Sequence, residues 1–214
     1  MVNAAERPER ALALTYAPPD RREGLAALFA LDDRLRGIVR AARDPTIGLM
    51  RLTWWGDALV RLDSAPPPPE PVLAAVARDV LPHGVTGTQL ERIADGWARL
   101  LEPDAIDLGL FAAEVGETVF IAAATVLGAA DERIVEVGRA WSLAELARER
   151  PGVLESIRAQ ADRVLAGAFG RPWRPAARPL GALGLSARFD LEGKSAPGSP
   201  RRVARLMLHR LTGR

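Results

Sequence analysis

Apolar residues recur at three- and four-residue intervals along most of the chain, which is the spacing of one face of an α-helix. No long segment alternates apolar and polar residues at a period of two, and β-branched residues are scattered. The segment 20–42 shows the helical pattern well, with apolar residues at Leu25, Leu28, Leu35 and Val39. The pattern predicts an all-α bundle of about eight or nine helices.

Capping residues and prolines predict where these helices begin and end. Asp20 is placed to cap the first helix, and Thr88 with Glu91 matches a capping box at the fourth. Asp104 and Asp107 flank a loop, so one helix ends near Asp104 and Asp107 caps the next. The predicted helices span residues 20–42, 47–62, 72–80, 88–101, 107–127, 131–148, 151–168, 175–191 and 200–211.

Length and composition favour one folded domain, residues 1–214, because a hydrophobic content of 48% is enough to bury a sizeable core. The longest apolar run, Thr118 to Ala130, is about 13 residues long. We interpret it as a buried core helix, since a bilayer span needs about 20 residues. The first ten residues are polar and lack the apolar core of a secretory signal, so a cytoplasmic location is expected.

The counts of cysteine and histidine exclude several kinds of chemistry. The chain has no cysteine, which rules out disulfides, thiolate catalysis and cysteine-based metal sites. Its two histidines, His83 and His209, are far apart in sequence. This argues against a histidine-rich metal site and against a Ser-His-Asp triad.

Charge is unevenly distributed along the chain. The formal net charge is +2, yet residues 150–214 hold 13 basic and 4 acidic residues, a balance of +9. Such asymmetry can mark an anionic partner such as a membrane surface. It can also reflect a bias of the coding sequence, since Lys194 is the single lysine in a chain rich in Ala, Arg, Pro and Gly. Both explanations stay open at this point.

The last predicted helix is a basic amphipath. On a helical wheel one side holds Val203, Ala204, Met207, Leu208 and Leu211, and the other holds Arg201, Arg202, Arg205 and His209. This pattern suits a helix that lies on the inner face of an anionic membrane. It equally suits a helix docked by its apolar side, with its charges in water, and we favour docking.

Nucleic acid is not expected as a partner of this basic end. Single-stranded nucleic acid is bound by aromatic side chains interleaved with basic ones. Here the aromatic residues are few, namely Phe169, Trp173 and Phe189.

The segment 48–59 is the most distinctive in the chain, because it contains the adjacent tryptophans Trp54 and Trp55 among only five in total. Its sequence, GLMRLTWWGDAL, resembles the signature of the squalene/phytoene synthase family. The resemblance implies a shortened form of the all-α isoprenoid-synthase bundle. Active members join two prenyl diphosphates head to head, with Mg²⁺ held by two aspartate-rich motifs.

The first of those motifs is not matched. Aligning residues 28–31 with the family places Arg36, Gly37 and Arg40 where its aspartates belong. Asp32 and Asp33 lie one turn earlier. They are adjacent, so they point about 100° apart on a helix and cannot share a metal well.

The second motif is also altered. Residues 111–118 are similar to a family helix that bears a tyrosine, with Phe111 at the tyrosine position. Residues 138–148 resemble the helix before the second motif, with Ser142 and Glu145 in place of the family's Gln and Asn. Glu149 follows Arg148, and Pro151 then interrupts the helix where the metal-binding face should continue.

By family resemblance, the candidate pocket comprises Arg36, Arg40, Arg51, Trp54, Trp55, Phe111, Ser142, Glu145, Arg148 and Glu149. The arginines Arg36, Arg40 and Arg148 can bind an anionic head group, or they can be exposed or ion-paired. Arg51 and Trp55 are four residues apart and can form a cation–π pair.

The resemblance is closest to the catalytically degenerate branch of the family, which includes an assembly factor of respiratory complex I. It implies a non-catalytic binding or assembly factor without a cofactor. The partner it implies is a lipid, a prenyl ligand, a respiratory complex or another protein. The alternative is an active Mg²⁺-dependent prenyltransferase that makes squalene or phytoene. It would have to use Asp32, Asp33, Glu145 and Glu149, of which Glu145 and Glu149 are the acidic i, i+4 pair.

Overall fold

A computed structural model describes residues 8–103 and 106–214, and the regular structure in both ranges is entirely helical. This confirms the predicted all-α class, although the sequence pattern does not predict α1. The α-helices are α1 (Pro8–Leu14), α2 (Pro19–Ala41), α3 (Pro45–Arg61), α4 (Pro71–Asp79), α5 (Gly87–Ala98), α6 (Leu108–Phe111), α7 (Thr118–Leu127), α8 (Ile134–Glu149), α9 (Leu154–Gly167), α10 (Arg178–Glu192) and α11 (Pro200–Thr212). Short 3₁₀ helices span Leu81–His83, Arg99–Leu101, Pro151–Val153 and Pro175–Ala177, and a π-helical segment spans Ala112–Glu117.

Several predicted helix caps are corrected by the structure. Asp20 lies inside the first turn of α2 and pairs with the Arg21 side chain, so its predicted capping role is wrong. The capping box of α5 is Thr86 with Gln89, two residues before the predicted pair. The reason lies in Asp63, whose carboxylate accepts hydrogen bonds from the backbone N–H and the hydroxyl of Thr88.

Other predicted helix ends are close to the observed ones. The carboxylate of Asp107 accepts a hydrogen bond from the Leu110 N–H at 2.9 Å, which confirms its predicted cap. Asp104 lies outside the described residues. Helix α4 begins at Pro71, one residue before its predicted start, because Glu70 caps it through the N–H groups of Val72 and Leu73.

The central helical stretch runs from α6 through the π-helical segment to α7. Leu108–Leu127 is long and apolar enough by composition to cross a membrane, but 72% of its apolar window is buried inside the bundle. This confirms the interpretation of the apolar run as a core helix. The π-helical segment lies directly against α8 at Gly116 and Gly138. A Cβ added to Gly116 would overlap the Gly138 carbonyl oxygen, so both glycines permit this close crossing.

Helix α8 leads from the crossing to the site described below. It ends at Glu149, and the chain turns through the 3₁₀ helix that begins at Pro151 before α9 starts. The predicted break at Pro151 is therefore confirmed. Asp131 does not cap α8 at the predicted position; its carboxylate instead binds the side chain and N–H of Arg133.

Helix α11 is docked on the bundle, but by the opposite side from the one predicted. Arg202, Leu206 and His209 are buried, whereas Met207 and Leu211 are 53% and 76% exposed. The polar residues face inward because each has a partner. Arg202 donates a hydrogen bond to Asp190, and His209 lies against the carbonyl oxygens of Arg178 and Arg214.

Candidate functional site

The side chain of Arg36 lies at the centre of the region where the two altered motifs meet. It projects from α2 and is 2% exposed. Its guanidinium donates to Asp32 at 2.7 Å and to Glu145 of α8 at 2.8 Å. Asp33 and Glu149 each lie 3.9 Å from it. Four carboxylates from two helices thus converge on one guanidinium.

A second arginine, Arg10 of α1, enters the same cluster. It donates to Asp32 at 3.1 Å and to Asp33 at 2.7 Å. Burial alone would lower the pKa of Arg10, but the charges of Asp33, Asp32 and Glu145 raise it above its ordinary value. We call Arg10, Asp32, Asp33, Arg36, Glu145 and Glu149 the Arg36 cluster.

Aromatic rings enclose this cluster. The indole N–H of Trp97 donates to Asp32 at 3.0 Å, and the Arg36 guanidinium lies 5.2 Å from the Trp97 ring centre. Phe111 packs edge-on against Trp97 at 5.3 Å. These contacts place Phe111 behind the cluster as a packing residue, because Trp97 lies between it and the charged groups.

Ser142 also serves packing. It is 1% exposed, and its hydroxyl donates to the Arg139 carbonyl of its own helix at 2.9 Å. A Cβ on Gly116 would overlap its hydroxyl oxygen, so Ser142 lies at the crossing of α8 with the π-helical segment.

The cluster continues outward along α8 to the last two helices. Arg148 lies 3.6 Å from both Glu145 and Asp190 of α10. Asp190 accepts a hydrogen bond from Arg202 at 2.6 Å. Burial raises the pKa of Asp190 above its ordinary value, although the hydrogen bond from Arg202 and the charge of Arg148 oppose this. Alternating charges therefore link the centre of the bundle to α11.

Arg40 forms the solvent-facing edge of the cluster. Its side chain is 65% exposed and lies 3.3 Å from Glu149. The two arginines that replace the expected aspartates are thus unlike each other. Arg36 is buried and donates from both terminal nitrogens to carboxylates, whereas Arg40 is largely in water.

The tryptophan signature forms a separate cleft between α2 and α3. We call this the tryptophan cleft; it has a volume of about 450 Å³ and is lined by Arg34, Gly37, Ile38, Ala41, Arg51, Trp54 and Trp55. Trp55 is buried, whereas Trp54 is 44% exposed and meets it edge-on. The guanidinium over the Trp55 ring belongs to Arg34, at 5.7 Å, and not to Arg51 as predicted. Arg51 instead extends into solvent at the edge of the cleft.

The carboxylates of the Arg36 cluster do not fit Mg²⁺, the metal implied by the family resemblance. A Mg²⁺ site needs carboxylate oxygens that can turn toward one ion. Here those of Asp32 and Glu145 are directed at guanidinium groups. Among the described residues, no three His, Asp or Glu side chains converge as metal ligands do. Guanidinium stays charged at any working pH, so the arginines of the cluster supply fixed positive charge to its carboxylates rather than acid–base chemistry.

The structure separates the ten candidate residues into three places. Arg36, Arg40, Glu145, Arg148 and Glu149 belong to one ion-pair system, Arg51, Trp54 and Trp55 border the tryptophan cleft, and Phe111 and Ser142 pack in the core.

Sequence reasoning missed Arg10, Trp97, Asp190 and Arg202. Trp97 could have been found, since it is one of five tryptophans. The other three carry no signal, because their partners are distant in sequence; Arg10, for example, lies 22 residues before Asp32.

Comparisons with known proteins agree with the resemblance of the tryptophan signature. The family model of squalene/phytoene synthase matches residues 4–158. A search of curated proteins found no match. The matched range contains the Arg36 cluster and the tryptophan cleft, whereas α10 and α11 lie beyond it.

Proposed function

We propose that this chain, which belongs to the squalene/phytoene synthase family, is a non-catalytic member that acts as a binding or assembly factor. The observation that carries the proposal is the bridge from Asp32 through the Arg36 guanidinium to Glu145. The guanidinium of Arg36, which is part of the protein itself, therefore lies where the acidic faces of two helices meet.

The charge balance explains why this arrangement opposes prenyl-diphosphate chemistry. Departure of a diphosphate requires divalent cations that bind carboxylates on one side and phosphate oxygens on the other. Arg36 neutralises the carboxylates but offers little to a ligand, since its terminal nitrogens already donate to Asp32 and Glu145. Breaking such a buried pair leaves an uncompensated charge and costs about 3–5 kcal/mol.

The retained scaffold still offers a surface for binding. The tryptophan cleft combines an apolar floor with Arg34 and Arg51 at its edge, and Trp54 is accessible there. Such a site suits an anionic head group with an apolar tail, because guanidinium binds phosphate and the indole ring covers apolar chain. We infer that a lipid or prenyl ligand binds here at the surface and does not enter the interior of the bundle.

The alternative function is an active head-to-head prenyltransferase. One observation favours it: the four acids it would need, Asp32, Asp33, Glu145 and Glu149, do converge in the fold. They converge on Arg36, however, so a metal would first have to displace a guanidinium from the core.

A deletion of the gene in its native host separates the two functions. The family resemblance implies a role as an assembly factor of respiratory complex I. If the protein has this role, its loss should lower the amount of assembled complex I and leave the amounts of squalene and phytoene unchanged. The wild-type chain and its Glu149→Ala variant should both restore the complex, because Glu149 lies at the edge of the cluster beside the largely exposed Arg40.

Two results would contradict the proposal. Unchanged complex I in the deletion strain would remove the assembly role. The deletion strain could instead lose squalene or phytoene. If the wild-type chain restores that product and Glu149→Ala does not, the protein is an active prenyltransferase.

A further inference from the structure

Helix α11 presents an apolar stripe to solvent. The stripe consists of Ala204, Met207, Leu208 and Leu211, spaced at three- and four-residue intervals on the side away from the bundle. Leu208 and Leu211 are 49% and 76% exposed. Single exposed apolar residues are ordinary on a protein surface, but a continuous stripe of large ones marks an interaction site.

A cleft between α10 and α11 adjoins this stripe. It has a volume of about 560 Å³, and its apolar lining includes Leu185, Phe189 and Leu208. Arg188, Arg201 and Arg205 also line it, together with Glu192, whose carboxylate pairs with Arg188 at 2.9 Å. Apolar surface and positive charge therefore lie side by side on one face of the molecule.

The charges on this face are available to a partner. Among the described residues, no side-chain carboxylate lies within ion-pair distance of Arg201 or Arg205, and Arg205 donates to the backbone oxygen of Arg214. Arg202 is the exception on α11, because it is buried against Asp190. The segment 200–214 contains five arginines and no acidic residue, so its outward face is strongly positive.

We propose that α11 and the adjoining cleft dock on the surface of an anionic phospholipid bilayer. A helix lying in a membrane interface places its apolar side among the acyl chains and its basic residues at the level of the head groups. Arg201 and Arg205 border the stripe, and their long side chains can reach phosphates while Met207, Leu208 and Leu211 enter the bilayer.

Electrostatics argue against a second copy of the chain as the occupant. In a two-fold dimer each patch meets its own equivalent. Arg201 and Arg205 would then face the same arginines, and no acidic residue of α11 would offset their repulsion. The surface is also independent of the proposed function, since it lies outside the range matched by the family model.

The test of the charge requirement is co-sedimentation with vesicles. The full-length protein should bind vesicles of phosphatidylglycerol and phosphatidylcholine, and should not bind phosphatidylcholine alone. Binding should weaken steeply as salt rises, because salt screens exposed charges. Replacing Arg201 and Arg205 together by Gln should weaken binding about thirtyfold. The matched control replaces Arg43 and Arg61, which are exposed elsewhere, and should leave binding unchanged.

The test of insertion uses the absence of native cysteine, which makes a single introduced cysteine a unique label. A polarity-sensitive dye on Leu211→Cys should shift to the blue when anionic vesicles are added. The same dye on Met50→Cys, 68% exposed on α3, should not shift. Both cysteine sites are exposed, and circular dichroism verifies that each variant is folded.

Five outcomes would overturn the proposal. Binding that does not depend on phosphatidylglycerol would remove the role of charge, and equal binding by the Arg201 and Arg205 variant would remove the role of those residues. A shift at Met50 equal to that at Leu211, or no shift at Leu211, would place the contact elsewhere. A dimer in solution that Leu208→Glu dissociates would show that a second copy covers the stripe.

Discussion

Arg36 is the residue at which the buried ion pairs between α2 and α8 meet. Its guanidinium carries the positive charge that balances Asp32 and Glu145 inside the bundle, and the Trp97 ring lies against it. Buried charges persist only when paired, because desolvation of an isolated ion is very costly. Arg36 therefore holds α2 to α8 as a structural cation.

Replacing Arg36 by Met should destabilise the fold by about 3–5 kcal/mol, because Asp32 and Glu145 would remain buried without their shared partner. The control is Arg40→Met, which removes an exposed ion pair with Glu149 and should cost less than about 1 kcal/mol. Urea unfolding of both variants measures the difference. Equal free energies of unfolding for the two variants would show that Arg36 contributes no more to stability than Arg40 does.

Trp55 tests the packing role of the tryptophan signature. Trp55→Ala should lower the free energy of unfolding by about 3–5 kcal/mol, since this side chain is buried between α2 and α3. Trp54→Ala removes the exposed neighbour and should cost about 1 kcal/mol or less. Thermal melting of the pair separates them; a Trp55→Ala melting curve identical to that of the wild type would mean that the ring contributes no core packing.

The residue scale also shows how far the site could be predicted. Aligning the motifs placed two arginines at aspartate positions, and one of them, Arg36, does lie at the meeting point of the acids. The Asp32–Arg36 pair has i, i+4 spacing and could have been predicted, whereas the contacts of Arg10 and Trp97 with Asp32 could not, because those residues come from α1 and α5. Nothing in local spacing relates residues so far apart in the chain.

At the scale of elements, helical periodicity was a reliable guide for α2 and α3 and misleading for α11. In α2 the apolar positions face the core, as predicted. In α11 they face solvent, because Arg202 and His209 find hydrogen-bond partners inside the bundle that outweigh the hydrophobic pattern. A wheel shows which residues share a face, but it cannot show which face has partners.

The burial of His209 makes the docking of α11 sensitive to pH. Burial lowers the pKa of His209 below its ordinary value of 6.5, and the charges of Arg205 and Arg178 lower it further, against the backbone hydrogen bonds. The unfolded chain therefore binds the proton at a higher pH than the folded chain. Stability should be complete above pH 6.5 and should fall as pH decreases below it, by up to about 1.4 kcal/mol per pH unit.

Urea unfolding of the wild type and of His209→Gln measures this effect across about 2 pH units around the ordinary histidine value, from roughly pH 5.5 to roughly pH 7.5. The variant should lose the slope, whereas His83→Gln, which replaces the other histidine, should retain it. A slope that survives in His209→Gln would assign the pH dependence to other groups.

At the scale of the whole molecule, the protein is an all-helical member of its family with a network of ion pairs at its centre. Charged residues form a connected path from Arg10 through Arg36, Glu145 and Arg148 to Arg202 on α11. This path ties the first helix, the central helices and the last helix together. The acidic residues that the alternative function would need thus take part in ion pairs that connect the helices of the bundle.

We expect the Arg36 cluster to perform no prenyl-diphosphate chemistry. An assay for the release of diphosphate tests this expectation directly. Purified protein is incubated with Mg²⁺ and farnesyl or geranylgeranyl diphosphate, with an active squalene synthase in parallel as the positive control. We expect no release above the protein-free blank, because the Arg36 guanidinium is bound to the carboxylates that Mg²⁺ would need. Turnover above the blank that Glu149→Ala abolishes would contradict it.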